Sequence, residues 1–266
     1  MSTAAHPLIE ATGVAPSPAP GPFEQFQGYG ILGVPFASGH VLAMRRFSAS
    51  SVGPGYDAVW HRRPDGGWWF YSDVPPGQSC ARYFGRALEC VVHTEVRVEW
   101  RSPTVLHIAV PLVQLDWEVT LGTSLVSRAL TAILRRIPAG AARHPSVLSI
   151  LSWGAGACLR SGRVQLAGTA PNGQRFLVAP RGLAPVRESR ASIAGHALGV
   201  PRPLAPQARL GDFWIPQRGW FAVGLASFDR FDPARHADAV TCRGRPAAVG
   251  RQALHPTRFA ASCEPA

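Results

Sequence analysis

Two stretches of this chain alternate strictly between apolar and polar residues. In 112–121, Leu115, Trp117, Val119 and Leu121 fall on one side of an extended chain, and Gln114, Asp116, Glu118 and Thr120 fall on the other. In 88–100, Thr94, Val96, Val98 and Trp100 oppose His93, Glu95, Arg97 and Glu99. Successive side chains of a β-strand point to opposite faces, so a period of two predicts a strand with one buried face in each stretch. Turn signals punctuate the same pattern. Pro64-Asp65-Gly66-Gly67 separates a strand over 56–62 from the returning Trp68-Trp69-Phe70-Tyr71-Ser72. Pro171-Asn172-Gly173-Gln174 separates strands over 162–170 and 175–178. Asp-Gly and Asn-Gly supply the positive φ that tight hairpins need. Further strands are expected over 40–47, 105–110, 184–194 and 220–228, with a turn at 51–55.

The period changes once. In 124–137 the apolar residues Leu125, Val126, Ala129, Leu130, Ile133, Leu134 and Ile137 recur at helical spacing. Ser124 or Thr123 caps the start, and Pro138 stops the helix. A second apolar helix runs from Pro145 to Trp153 and ends at Gly154-Ala155-Gly156. The fold class is therefore mainly β: an antiparallel barrel or sandwich whose two strand blocks are separated by a helical pair. Residues 1–22, rich in Ala and Pro, read as a disordered N-terminal arm. Residues 23–231 read as a single β-rich ligand-binding domain with a helical insertion at about 124–153, and 232–266 as a loose C-terminal tail.

The formal net charge is +11, from 27 basic and 16 acidic residues, and every basic residue is arginine. Without lysine the chain makes no Schiff base, no Walker A phosphate loop and no protein-kinase site. The arginines are spread along the chain instead of clustering with aromatics, which argues against nucleic acid as a partner. Cys80, Cys90, Cys158, Cys242 and Cys263 are odd in number and irregular in spacing, so neither a disulfide framework nor a structural zinc site is expected. No apolar run reaches a membrane span and no signal-peptide pattern opens the chain, which points to a cytoplasmic location.

The usual catalytic signatures are missing: no GxSxG elbow, no HExxH, no EF-hand loop, no GxGxxG between a strand and a helix. Polar residues in aromatic surroundings are what remain. Trp60-His61-Arg62 faces Trp69, Tyr71 and Asp73 across the first hairpin, so His61 could serve as acid or base with Tyr71 and Asp73 orienting it. Cys80-Ala81-Arg82-Tyr83 places an arginine beside a thiol, which would favour thiolate. Asp116 and Glu118 flank Trp117 on one strand face and could divide acid and base roles if that face is interior; if Trp117 points to the core, they are solvated. Asp212, Trp214 and Arg218 occupy a loop suited to closing over a ligand, with Arg218 holding a carboxylate or phosphate. His40, His93 and His107 lie on strands, but nothing fixes the three together, so no metal site is read.

Several phrases carry a resemblance: Gly39-His40-Val41-Leu42, Gly53-Pro54-Gly55-Tyr56, Val59-Trp60-His61-Arg62, Arg82-Tyr83-Phe84-Gly85, and Gly211-Asp212-Phe213-Trp214-Ile215-Pro216-Gln217-Arg218-Gly219. They resemble a family of uncharacterised proteins from GC-rich bacteria, which brings no activity with it. In its strand–helix–strand layout the chain is loosely similar to the lipocalin-like superfamily of carotenoid hydratases and tocopherol cyclases. That likeness implies a lipocalin-like barrel and carries over no catalytic residue. The closed-sheet layout, abundant tryptophan, isolated polar groups and missing cofactor motif point to a barrel interior that takes a hydrophobic, isoprenoid- or polyketide-like molecule, with cofactor-free cyclisation, hydration or isomerisation as the fitting chemistry. His61, Tyr71, Asp73, Asp116 and Glu118 would carry the chemistry, and Trp60, Trp69, Arg82, Tyr83, Trp117, Asp212, Trp214 and Arg218 would bind the ligand. The alternatives are a non-catalytic carrier or regulatory ligand-binding protein, and an arginine-rich surface that meets anionic partners.

Overall fold

A computed structural model describes Leu8 and residues 21–138, 144–158 and 161–236. Most of the expected arm and tail lies outside the described residues. The strands are β1 (Phe23–Pro35), β2 (Val41–Ser50), β3 (Tyr56–Arg62), β4 (Trp68–Ser72), β5 (Cys90–His93), β6 (Arg97–Ser102), β7 (Val105–Val110), β8 (Leu115–Leu121), β9 (Ala167–Thr169), β10 (Arg175–Ile193), β11 (His196–Ala197), β12 (Arg209–Leu210), β13 (Phe213–Trp214) and β14 (Trp220–Asp229). The helices are α1 (Ala81–Phe84), α2 (Leu125–Arg136) and α3 (Pro145–Cys158).

The chain is mainly β. Twelve strands form one sheet in the order β5-β4-β3-β2-β1-β14-β10-β8-β7-β6, with β9 and β11 added to β10; β12 and β13 form a separate hairpin. The two strand blocks therefore share one sheet, because β14 pairs with β1 on one side and β10 on the other. Strand orientation is mixed: β4 and β5 are parallel, where the sequence predicts antiparallel neighbours throughout. The reason is the crossover at 73–89, which passes through α1 and two 3-10 turns and is long enough to return the chain in the same direction.

The sheet curls until its edges approach. Only Thr94, Glu95 and Val96 join β5 at one edge to β6 at the other. Three residues span roughly 10–14 Å at most. Side chains also bridge the interior: Arg46 Nη1 donates to the Val98 carbonyl at 2.8 Å, and Trp100 Nε1 donates to the Tyr29 hydroxyl at 3.1 Å. The single strand expected over 88–100 is thus two. Its alternation survives the break because Val92, Val96 and Val98 all turn to the same interior.

Each face of the sheet carries its own core. The inner face buries Ile31, Leu42, Met44, Val59, Leu106, Ile108, Trp117, Val119 and Phe221. The outer face of β1–β4, β14 and the start of β10 buries Phe26, Val41, Ala43, Trp60, Trp68, Phe70, Phe176 and Phe228. Leu88, α1, and the 204–217 segment cover that outer face through Tyr83, Phe84, Leu210 and Ile215. Strand β10 serves both layers. It is one 19-residue strand where two were expected, and a bulge between Pro180 and Gly182 turns its later residues, Ala184 and Ala191, to the inner core.

Helix α2 starts as expected: Ser124 Oγ accepts from Ser127 N at 3.0 Å, and Ser127 Oγ accepts from Ser124 N at 3.1 Å. The buried face is Ser127, Thr131 and Leu134, with Thr131 Oγ1 accepting from Leu183 N at 3.0 Å on β10. Leu125, Val126 and Ile133, part of the apolar series at helical spacing, are exposed. No helix among the described residues is long and apolar enough to cross a membrane.

Strand β1, to which the sequence reading assigned no element, runs through the centre of the sheet. Its Gly28-Tyr29-Gly30-Ile31-Leu32-Gly33 has the GxGxxG spacing, but the segment is strand throughout and no helix follows it. Gly28 pairs with Gly224 on β14. A Cβ on Gly28 would strike the Arg46 carbonyl oxygen, and one on Gly224 the Ala179 carbonyl oxygen. These glycines permit the close backbone approach of a tightly coiled sheet. Gly28→Val is expected to lower unfolding free energy by about 2–4 kcal/mol in urea melts, and a loss under 0.5 would show that the sheet relaxes freely there.

Candidate functional site

A cavity of about 100 Å³ lies in the outer layer, between the sheet and its cover. Its floor is Gly28 and Gly30 of β1, Gly224 and Ala226 of β14, and Val178 and Pro180 of β10. Alternation along β2 brings Ala43, Arg45 and Phe47 to the same side, and Trp60 and Trp68 close a wall. Cys80, Phe84, Leu210, Phe213 and Ile215 roof it. The small floor residues leave the space, and the aromatic walls make it apolar.

Two side chains bring ionisable groups to the cavity from opposite sides. The Cys80 thiol accepts a hydrogen bond from the Tyr56 hydroxyl at 3.1 Å, and burial pushes it up to about 11. It is a thiol at neutral pH, against the expectation that Arg82 would favour thiolate. Arg45 Nη1 donates to the backbone carbonyls of Ile31 and Met44 at 2.5 and 2.8 Å. Burial lowers its guanidinium to about 10, which leaves it charged at neutral pH.

The roof is fastened by polar contacts. Asp212 Oδ2 accepts from Thr169 N at 2.9 Å, tying the β12–β13 hairpin to β9. Arg163 and Arg209 lie 4.7 and 5.4 Å from the Trp214 ring centroid. Gln217 Oε1 accepts from Leu204 N at 2.9 Å. The loop that the sequence singled out thus covers the cavity through Leu210, Phe213 and Ile215, while Asp212 and Trp214 anchor it and Arg218 is exposed.

No family model matches the chain, and no curated protein matches it. Among solved structures it is similar to the acetoacetate decarboxylase of Legionella pneumophila subsp. pneumophila str. Philadelphia 1. The TM-score is 0.37 and the identity 10%, over 87% of this chain and 96% of that one. A likeness that distant carries no chemistry across.

Of the thirteen residues given catalytic or ligand-binding roles from sequence, Trp60 alone lines the cavity; Cys80, which the sequence singled out as a thiol, lines it as well. His61 points to the opposite face of β3, where its Nε2 lies 2.8 Å from His40 Nδ1 and the rings stack at 5.0 Å. Burial, then His40 and Arg63, push it down to about 3, so it is a neutral hydrogen-bond partner at neutral pH. Tyr71 is buried in the inner core, its phenol raised by burial. Asp73 sits at the far end of the hairpin from His61, where Oδ1 accepts from Asp57 N at 2.9 Å. Trp69 shares the inner face and lies 5.3 Å from the Arg63 guanidinium.

Trp117 is fully buried and donates to Ser189 Oγ at 2.8 Å, which decides the parity of β8. Asp116 and Glu118 therefore point outward, paired with His107 at 2.9 Å and Arg101 at 3.0 Å. His93 contacts the Asp73 carbonyl at 3.2 Å. Among the described residues no cluster of three or more His, Cys, Asp or Glu can hold a metal.

Arg82 and Tyr83 are turned to a carboxylate instead of the cavity. Glu24, at the start of β1, accepts from Arg82 Nη2 at 3.1 Å, the Tyr83 hydroxyl at 2.7 Å, Gln174 Nε2 at 3.2 Å and Phe231 N at 3.4 Å. Tyr83 also stacks on Phe228 at 3.7 Å. A buried acid, Asp57, lies on the inner face with its Oδ1 3.5 Å from Arg46 Nε. Burial raises it to about 7 against the opposing pull of Arg46.

Sequence reasoning missed Arg45, although its signal is plain in retrospect. Val41, Ala43 and Phe47 share its face of β2, and an arginine there breaks an otherwise apolar series.

Proposed function

We propose that the protein binds a small hydrophobic molecule in the outer-layer cavity and acts as a non-catalytic carrier or ligand-dependent regulator. The observation that supports this is the cavity's lining: aromatic and aliphatic walls over a glycine floor, with no carboxylate or imidazole on it. The Cys80 thiol and the Arg45 guanidinium, which do line it, both keep their protons at neutral pH, so neither serves as the base that acid–base turnover needs. The His, Asp and Glu residues proposed for cyclisation, hydration or isomerisation lie elsewhere.

Size sharpens the reading. An engineered apolar cavity of about 150 Å³ admits benzene. At about 100 Å³ this one suits a phenyl or short branched alkyl group. An isoprenoid- or polyketide-like chain would have to displace Phe213 or Leu210 from the roof.

Calorimetric titration with toluene tests the proposal. Wild-type protein should bind it and melt at a higher temperature in its presence. Ala226→Leu, which fills the floor, should abolish both effects while retaining the native circular dichroism spectrum. Toluene that leaves the wild-type melting temperature and heat unchanged would count against the cavity as a binding site.

A further inference from the structure

We infer that the occupant of this cavity is a small organic anion, a carboxylate carried on a short aromatic or branched alkyl tail, whose head pairs with Arg45. The inference rests on the ligand-binding reading above and adds the chemical class of the ligand.

Arg45 stands on a strand face that its neighbours Val41, Ala43 and Phe47 use for packing. Its partners among the described residues are neutral: Nη1 meets two backbone carbonyls, and the Phe213 ring centroid lies 5.8 Å from the guanidinium carbon. Among the described residues no carboxylate pairs with it. Of the other arginines that are not fully exposed, Arg46, Arg63 and Arg82 have one, in Asp57, Glu89 and Glu24, while Arg62 and Arg181 meet backbone carbonyls. Arg45 is the arginine that lines the cavity. The ionisable groups facing Arg45 are Cys80 and Tyr56, and burial keeps both uncharged.

A charge held in apolar surroundings without a counter-ion is costly, and a partner of opposite charge recovers much of that cost. The protein does not supply that partner at Arg45. A guanidinium presents five N–H donors in a planar fork that matches a carboxylate bidentately. The backbone contacts engage Nη1 alone, leaving Nε and Nη2 as one edge of the fork. The apolar remainder of the cavity sets the tail, and its volume limits that tail to about one ring. A neutral hydrocarbon would leave the cation unpaired, and a bare inorganic anion would leave the aromatic walls unused.

Phenylacetate and its neutral isostere phenylacetamide separate these cases by titration calorimetry. Wild-type protein should bind phenylacetate at least tenfold more tightly than the amide. Arg45→Met should bind both with the affinity of the amide, while Arg45→Lys should keep part of the preference. Equal wild-type affinity for the two probes overturns the inference, as does a tenfold preference that persists in Arg45→Met. Both outcomes leave toluene binding, and so the ligand-binding proposal, intact. Failure of wild-type protein to bind toluene, phenylacetate or the amide would instead end the ligand-binding proposal itself. If Arg45→Met does not fold, the wild-type pair decides, with Ala226→Leu required to weaken both probes; a preference unaffected by Ala226→Leu places the anion elsewhere and overturns the inference.

Discussion

Replacing Glu24 with alanine is expected to cost about 3–5 kcal/mol of folding stability, the usual consequence of breaking a buried ion pair from one side. For a chain of this size that lowers the melting temperature by roughly 6–20 °C. The carboxylate is only 12% exposed and ties three other parts of the chain to β1. Arg82 and Tyr83 come from α1, Gln174 from the turn before β10, and Phe231 from the residues after β14. Gln174 extends the network by donating to the Asp229 carbonyl and accepting from Asn172 Nδ2 at 2.6 Å. Alanine leaves the guanidinium and phenol without their carboxylate acceptor at once, and leaves the Gln174 amide with the Asp229 carbonyl alone. Glu24→Gln should recover part of the loss, since its amide oxygen still accepts. The exposed Glu95–Arg97 pair is the comparison: Glu95→Ala should leave the melting temperature unchanged. A Glu24→Ala variant that loses less than about 1 kcal/mol would show the network to be incidental.

Asp57→Asn is expected to stabilise the protein, and increasingly so as pH rises. The carboxyl titrates near 3.8 in an unfolded chain and near 7 in the folded one. Below pH 4 it is protonated in both states, so asparagine changes little. Between those values the unfolded chain has released its proton while the folded chain retains it, and native stability falls with rising pH. Each unit of that interval is worth about 1.4 kcal/mol, which sets an upper bound of about 4 kcal/mol by pH 8. The partner Arg46 is 42% exposed and 3.5 Å away, so water and its charge moderate the penalty. Urea melts of the two proteins at pH 4.5, 6 and 8 check the sign. A difference that shrinks as pH rises contradicts the assignment.

Where one face of a strand meets the core and the other meets water, the sequence states the strand plainly. Strand β8 is the clear instance: Leu115, Trp117, Val119 and Leu121 are buried, and the residues between them are not. The hairpin at Asp65-Gly66 and the cap at Ser124 are local chemistry and were equally legible. Strand β1 was not, because both its faces are covered and its glycines interrupt any apolar rhythm. The break at 94–96 was hidden because both resulting strands show the same face to the interior. The continuity of β10 was hidden by Pro180 and Pro185, which sequence reads as strand ends and the sheet accommodates beside a bulge.

The candidate site was harder to read than the fold, for a related reason. The sequence marked residues by chemical reactivity and assumed that the barrel interior would hold the ligand. The inner face is instead packed with large side chains such as Trp117, Leu106 and Ile108. The cavity arises on the outer face, from what three glycines and an alanine leave empty. Emptiness made by small residues on different strands has no linear signature until the register is known.

The position of β14 bears on how the chain acquires its shape during synthesis. About 200 residues separate the starts of β1 and β14, yet the two are neighbours at the centre of the sheet. At ribosomal rates of about 5–20 residues per second, β1 waits some 10–40 s for that neighbour. Throughout that interval one edge of β1 and the aromatic residues Phe26 and Tyr29 are without their final cover. Assembly dominated by such distant pairing is slow and exposed to association with other chains. Co-expressed holdase chaperones that cover the edge of β1 during that interval should therefore raise the yield of this protein on overexpression.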